Sequence, residues 1–130
     1  MIAPSELAAW ERTAIDSCPL AGLEDAPVGS FAPPALLDDV RLRFFAGWDG
    51  ADAVAATVSF TSHGIASLAF GATAPAARRR GFWRQAAIAR LEASPDLWFA
   101  GVFSDHSRPG AETLGFVPLL RLTLWILDRP

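Results

Sequence analysis

The densest positive charge in the sequence lies in one short turn between two apolar segments. Residues 75–84 are Pro-Ala-Ala-Arg-Arg-Arg-Gly-Phe-Trp-Arg, so three arginines and a glycine directly precede a segment of helical composition. The N-terminus of a helix offers unpaired backbone N–H groups and a partial positive charge, and both favour an anion. Four guanidinium groups add charged hydrogen-bond donors around that position: Arg78, Arg79, Arg80 and Arg84. The pattern predicts a site for a phosphate or pyrophosphate group.

A second cluster has residue types that can move protons. Asp105, His106 and Ser107 follow an apolar segment directly. The imidazole of His106 is a side chain of the type that most often acts as a general base, and the hydroxyl of Ser107 can donate to a leaving group. The competing interpretation is that Asp105 and Ser107 only cap a short helix that begins near Pro109. The sequence leaves both interpretations open.

Composition excludes several classes of function. The 130 residues carry 11 basic side chains, all arginine, against 14 acidic ones, and this balance argues against nucleic-acid binding or an anionic membrane surface. Cys18 is the single cysteine, so no intrachain disulfide is possible, and we expect no metal because no Cys/His spacing suits zinc. We expect one domain over residues 1–130, with no secretory signal and no membrane span, in the cytoplasm.

Hydrophobic periodicity in the first half of the chain predicts a helix and then a meander. Spacing over residues 5–17 is helical, and residues 19–34 are rich in proline and glycine, as is typical of a loop. Alternating apolar residues then predict three antiparallel strands, with turns at Asp49-Gly50 and Ser62-His63-Gly64. The third strand is Ile65–Phe70. No regular strand is expected before Leu42.

The second half predicts crossovers that complete the sheet. A helix over Phe82–Ala93 follows the arginine-rich turn, and the continuous apolar run Leu97–Phe103 predicts a buried central strand. A short helix stopped by Gly115 leads into a last strand over Leu120–Ile126. The predicted class is therefore α/β, with a mixed, mostly antiparallel sheet flanked by helices.

Two motifs resemble the GNAT superfamily of acyl-CoA-dependent N-acetyltransferases. The stretch Ala72-Thr73-Ala74-Pro75-Ala76-Ala77-Arg78-Arg79-Arg80-Gly81-Phe82-Trp83 is similar to the family's pattern of Arg or Gln, two residues, Gly, one residue, then Gly or Ala. Leu114-Gly115-Phe116 is similar to the Leu-Gly-Phe that precedes the family's last strands. The resemblance covers the predicted CoA-binding core, residues 40–127, and leaves residues 1–39 as a variable helical and loop segment.

The resemblance implies acetyl-CoA, or another acyl-CoA, as co-substrate. The backbone amides from Arg79 to Arg84 would hold the pyrophosphate, and the strand edge at Ala72–Ala74 would pair with the pantetheine arm. The acyl group would lie between that strand and the segment Leu97–Phe103. The predicted cofactor-binding residues are Ala72, Thr73, Ala74, Arg78, Arg79, Arg80, Gly81, Phe82, Trp83 and Arg84.

The implied reaction is transfer of the acyl group to an amine of a small molecule, peptide or protein. Trp83 stands where the family has glycine or alanine, so its ring either intrudes on the pyrophosphate turn or points into the core. The chain has no tyrosine, and Ala111 stands where the family often has a tyrosine acid. His106 and Ser107 are then the candidate catalytic residues.

A rival hypothesis is a non-catalytic module of the same fold, which binds CoA or only dimerises. The apolar segment Leu119–Leu127, with Trp125, has the pattern of a strand that could pair with a second copy. A homodimer is therefore an expected partner state.

Overall fold

The computed structural model describes residues 1–18, 22–23, 25–123 and 125. Within these residues, three α-helices and four strands follow one another as α1 (Leu7–Ser17), β1 (Leu42–Asp49), β2 (Asp52–Ser62), β3 (Ile65–Thr73), α2 (Phe82–Glu92), β4 (Trp98–Gly101) and α3 (Arg108–Thr113). Single turns of 3₁₀ helix lie at Pro4–Glu6, Pro34–Asp38 and Pro75–Ala77. The described part of the chain has no strand before β1, as the sequence predicted.

The four strands form one sheet in the order β1-β2-β3-β4. The first three pair antiparallel through tight turns, and β4 pairs parallel with β3 after the crossover through α2. Alternate residues of β1 face opposite sides, so Phe44 packs against α1 while Gly47 lies against the first residue of α2. The predicted mixed, mostly antiparallel sheet flanked by helices is confirmed.

Trp10 of α1 is the centre of the core on one face of the sheet. Its indole ring contacts Phe44 edge to face at 4.9 Å between centroids, and Phe31 and Phe70 at 6.1 Å. The indole N–H donates to the carbonyl oxygens of Phe45 and Thr57, so the buried ring leaves no polar group unpaired. This anchor fixes α1 across β1 and β2.

Glu11 of α1 is 0% exposed, and its side chain holds the loop that follows α1. Its carboxylate accepts hydrogen bonds from the backbone N–H groups of Gly29 (2.6 Å), Phe31 (2.7 Å) and Ala32 (3.1 Å). Burial alone raises the pKa of this carboxyl, but the three backbone donors outweigh burial and the pKa is lowered. These three hydrogen bonds hold the loop against α1, although the loop has no regular secondary structure at Gly29, Phe31 and Ala32.

Two sequence predictions about the last part of the sheet are wrong. The predicted buried strand Leu97–Phe103 is a short edge strand, in which Trp98 is 82% exposed. Residues 120–123 and 125 of the predicted strand Leu120–Ile126 are irregular and do not join the sheet, and residues 124 and 126 lie outside the described residues. The two errors have one cause, because a strand is buried in the centre of a sheet only when another strand pairs beyond it.

Candidate functional site

Strand β3 leaves one edge open before the arginine-rich turn. Pairing with β4 ends at Leu68–Gly101, while β3 continues to Thr73. The N–H of Ala74 donates to the carbonyl of Val54 on β2. Because an antiparallel strand alternates which edge its backbone groups face, Gly71 and Thr73 present theirs to the opposite, open edge. An extended ligand could pair there as an added strand.

The start of α2 leaves its first amides without a protein acceptor in the described part of the chain. Gly81 occupies the N-cap with φ +88°, and no side chain caps the helix. Arg79 is also left-handed, with φ +61°. Where a left-handed residue adjoins a right-handed one, as Gly81 adjoins Phe82, successive N–H groups point toward one concave point, which is the geometry of a backbone anion site. The turn thus adds a second set of donors beyond the open edge of β3.

Two of the four arginines at the turn are held by the protein itself. Arg78 donates to the carbonyl oxygens of Thr73 and Ser17, and so ties the turn to both β3 and the end of α1. Arg80 pairs with both carboxylate oxygens of Asp49, at 2.6 and 3.2 Å. This pair lowers the pKa of Asp49, through hydrogen bonding first and charge second, and braces the turn against the β1–β2 hairpin.

Arg79 and Arg84 are exposed, and no contact of their guanidinium groups is described. Arg79 lies within the turn and Arg84 in the first turn of α2. These two are therefore the cations that remain available to a ligand at this helix end.

The structure decides between the two orientations of Trp83. Its ring contacts Phe103 edge to face at 6.3 Å between centroids, and it lies so close to α3 that a Cβ on Gly110 would be 2.8 Å from the indole Cζ3. The side chain is half-buried beneath α3 and points away from the turn. The backbone amide of Trp83 stays among the free donors of the helix start.

His106 and Ser107 lie in the loop between β4 and α3. Since β3 and β4 are parallel, this loop belongs to the same end of the sheet as the open edge of β3. His106 is exposed, and the hydroxyl of Ser107 donates to the carbonyl of Ser104 at 3.2 Å. Neither side chain has a described contact with β3, so the catalytic role of His106 and Ser107 stays a prediction.

The capping interpretation of this loop is wrong. Ser107 occupies the N-cap of α3 without a side-chain cap hydrogen bond. Asp105 instead forms an exposed ion pair with Arg121, 2.7 Å from each of its carboxylate oxygens. Asp105 therefore pairs with Arg121, 16 positions further along the chain, and does not cap α3.

Arg90 links α2 to β3 through a hydrogen bond that the sequence interpretation missed. It lies on the inner side of α2 with 3% of its surface exposed, and it donates to the carbonyls of Phe70 on β3 and Ala86 on its own helix. Burial lowers its pKa to about 10. Arg90 recurs at helical spacing with Ala86 and Ala87 on the side of α2 that packs on the sheet, so the sequence spacing could have predicted its burial.

Two further concave regions border this site. A cavity of about 340 Å³ opens between α1, the β1–β2 hairpin and Ala74–Pro75, and one of about 270 Å³ lies between β1 and α2. Within the described ranges, no three His, Cys, Asp or Glu side chains are grouped to hold a metal ion. No helix in the described part of the chain is long and apolar enough to span a bilayer.

Known proteins match this chain in structure but not in sequence. No protein-family model matches the chain, and no curated protein matches it. Solved structures match over nearly their whole length. An aminoglycoside 6'-N-acetyltransferase of Acinetobacter haemolyticus has a TM-score of 0.71 at 13% identity, with 99% of this chain and 97% of that chain covered.

Two further structures agree. An aminoglycoside N-acetyltransferase solved in complex with CoA has a TM-score of 0.72 at 17% identity, covering 98% of this chain and 97% of that one. An acetyltransferase of Trypanosoma brucei has a TM-score of 0.67 at 19% identity, covering 97% and 96%. The strand order, the crossover through α2 and these matches together confirm the predicted architecture. The chain has the fold of the GNAT N-acetyltransferases.

Proposed function

We propose that the chain binds an acyl-CoA along the open edge of β3 and transfers its acyl group to an amine. The observation that carries the proposal is that two sets of N–H donors, at the open edge of β3 and at the start of α2, lie next to each other. The edge of β3 that carries the N–H groups of Gly71 and Thr73 leads directly into the uncapped start of α2, while the Thr73 carbonyl is already bonded to Arg78. A pantetheine arm carries amides that can pair with a strand edge, and the pyrophosphate that follows it needs N–H donors. The fold and the CoA complex of a structural neighbour support this assignment.

The residues present fit that ligand in charge and in shape. Arg79 and Arg84 lie at the turn without described protein contacts, while Arg78 and Arg80 brace it. Trp83 points under α3, so its bulk does not fill the turn. In this assignment Arg79 and Arg84 supply charge to the pyrophosphate, and Arg78 and Arg80 act by holding the turn in place.

The transfer step would take place where β3 and β4 diverge. The amine nitrogen would form a bond to the acyl carbon, and the carbon–sulfur bond would break with the electron pair leaving on sulfur. The proton of the amine would pass to the imidazole of His106, and the hydroxyl of Ser107 would donate a proton to the thiolate, replaced from solvent. The fold's main contribution would be orientation of the two reactants.

A calorimetric titration with acetyl-CoA tests the binding step. Alanine at Arg79 and Arg84 together should weaken affinity roughly fivefold to thirtyfold, since both charges are exposed and screened by salt. Arg41→Ala is the matched control. Arg41 is an exposed arginine paired with Asp39 before β1, at the opposite end of the sheet from Thr73. Equal loss of affinity in the control, or none in the double variant, would show that the ligand binds elsewhere.

The non-catalytic alternative keeps the same site without turnover. It is favoured by the absence of tyrosine from the chain and of any carboxylate from β3. Acetyl transfer to a panel of polyamines, amino sugars and peptide N-termini, followed by thiol release, separates the two. Saturable acetyl-CoA binding with no release above the hydrolytic background for any acceptor would favour the binding module.

A further inference from the structure

Arg90 is a buried cation without a counter-ion in the described part of the chain. Its side chain is 3% exposed, and its guanidinium donates to two carbonyl oxygens, those of Ala86 and Phe70. Burial lowers the pKa of Arg90 to about 10, and no acid among the described residues opposes that effect. Removing a charge from water is costly unless a partner of opposite sign offsets the loss, so an arginine buried in this way indicates a use for its charge.

The guanidinium lies directly beneath Gly71, on the face of β3 that packs on α2. A Cβ on Gly71 would be 3.7 Å from Nη2 of Arg90 and 3.9 Å from Nη1. Nη2 donates to no acceptor among the described residues, and the buried hydroxyl of Thr57, opposite Gly71 on β2, has no hydrogen-bond partner among them either. Positive charge and unused donors therefore collect at the residue of β3 whose own N–H faces the open edge.

On the proposed function, on which this inference rests, Arg90 lies level with the sulfur of the bound ligand. The N–H groups of Thr73 and Gly71 pair with the pantetheine amides, so the thioester comes next along β3, toward Phe70. From Phe82 to Arg90 the helix advances eight residues, about 12 Å, and from Thr73 back to Phe70 the strand spans roughly 10 Å. Because the crossover helix runs antiparallel to β3, both lengths lead from the pyrophosphate donors to the same level of the sheet. The hydrogen bond from Arg90 to the carbonyl of Phe70 fixes that alignment.

We infer that the guanidinium of Arg90 stabilises the CoA thiolate as it leaves the acyl group. When the amine nitrogen bonds to the acyl carbon, the carbon–sulfur bond breaks and its electron pair passes to sulfur. The positive charge beneath Gly71 lowers the free energy of that anion until Ser107 supplies a proton, which solvent replaces. Because the guanidinium is buried, little water screens its field, and it acts without touching the sulfur. Its charge takes over part of the role of a tyrosine acid in a chain that has no tyrosine.

The other ionisable groups around this position are exposed, with one exception. Strands β3 and β4 carry none. The exposed ones on β1, β2, α2 and the loop before α3 are Asp49, Asp52, Arg84, Glu92, Asp105 and His106. The exception is Arg43 of β1, which is half-buried and bonded to Ala93 and Ser94 beyond the end of α2. Arg90 is therefore the charge that acts on this level of β3 from inside the protein.

The pH dependence of CoA binding tests the inference without turnover. The thiol of CoA can ionise, with an ordinary thiol pKa of about 8.5, whereas the sulfur of acetyl-CoA cannot. Calorimetry on the full chain gives both affinities between about pH 6 and pH 9, where Arg90 stays charged. The two ligands share every other group, so the ratio of their affinities isolates the sulfur.

The inference predicts that CoA gains on acetyl-CoA by roughly tenfold to a hundredfold as the pH rises. That gain corresponds to a bound thiol whose pKa is lowered by about one to two. Since the lowered pKa belongs to the bound form, the rise begins at that pKa and ends near the ordinary value of the free thiol.

Two matched variants locate the charge responsible. Arg90→Met keeps the length of the side chain and removes its charge, a kind of replacement that buried ions often tolerate, and it should make the ratio independent of pH. Arg43→Met removes another arginine that bonds a backbone carbonyl near α2, but from β1, two strands away from the open edge, and it should keep the rise.

The wild type decides the matter even if Arg90→Met does not fold. A wild-type ratio that stays constant with pH would overturn the inference and leave acyl-CoA binding in place. A rise that persists in Arg90→Met, or one that disappears equally in Arg43→Met, would overturn it as well. Failure of the wild type to bind either ligand would instead refute the proposed function, and the inference with it.

Discussion

Because α3 lies close to Trp83, the structure predicts whether Gly110→Ala raises or lowers the free energy of unfolding. Gly110 lies inside α3, and a methyl group there would be 2.8 Å from the indole Cζ3 and 3.3 Å from Cε3 and Cη2. Without a neighbour, alanine in place of a helical glycine stabilises a protein by about 0.5–1 kcal/mol. Here the methyl would force the Trp83 ring or α3 to shift. We expect Gly110→Ala to be destabilising.

The magnitude follows from two opposing terms. Overpacking a fitted contact costs typically about 1–3 kcal/mol. Subtracting the helix gain leaves a net loss of about 0.5–2 kcal/mol for Gly110→Ala. For a domain of this size that lowers the melting temperature by roughly 2–8 °C. In a Trp83→Leu background the obstructing ring is gone, so the same substitution should instead stabilise by the helix term alone.

Urea unfolding of the four proteins in this double-mutant cycle measures both signs. The structure requires Gly110→Ala to lower the free energy of unfolding beside Trp83 and to raise it beside leucine. A stabilising effect in both backgrounds would refute the orientation of Trp83. The ring of Trp83 could then cover the start of α2.

Substitutions at three further positions test other parts of the molecule. Glu11→Ala leaves three backbone N–H groups unpaired, one at buried Ala32 and two at half-buried Gly29 and Phe31, and should cost about 3–5 kcal/mol in urea unfolding. Because the pKa of Glu11 is lowered on folding, its stabilisation is present above its ordinary value of 4.5 and is lost as pH falls through the folded pKa, a loss that Glu11→Gln should lack. Gly81→Pro cannot adopt φ +88° and removes a donor, so acetyl-CoA binding should disappear, with circular dichroism to check the fold. His106→Ala should reduce transfer while acetyl-CoA affinity stays the same, and unchanged turnover would exclude it from the reaction.

The meander and the helix that follows were predictable from local pattern. Alternation and the Asp49-Gly50 turn located β1 and β2 because these strands are half-buried and adjacent in sequence. The predicted helix Phe82–Ala93 differs from α2 by one residue at its end. In these segments each residue's environment is set by neighbours close in the chain.

The sheet edge and the details of the site were not predictable in this way. The apolar run at Leu97–Phe103 has the composition of a buried strand, but burial depends on which segment pairs beyond it. The direction of Trp83 depends on Gly110, 27 residues further along, and Asp105 pairs with Arg121 rather than with its own helix. These contacts join elements that sequence periodicity treats separately.

Amide hydrogen exchange followed by NMR tests the central claim most directly, since it locates the ligand as well as detecting it. Addition of acetyl-CoA to the full chain should protect the amides of Gly71 and Thr73 on β3 and those of Trp83 and Arg84 at the start of α2. The amide of Ala74, already bonded to Val54, should change little. Saturation that leaves those four amides unprotected, or no binding at all, would contradict the account.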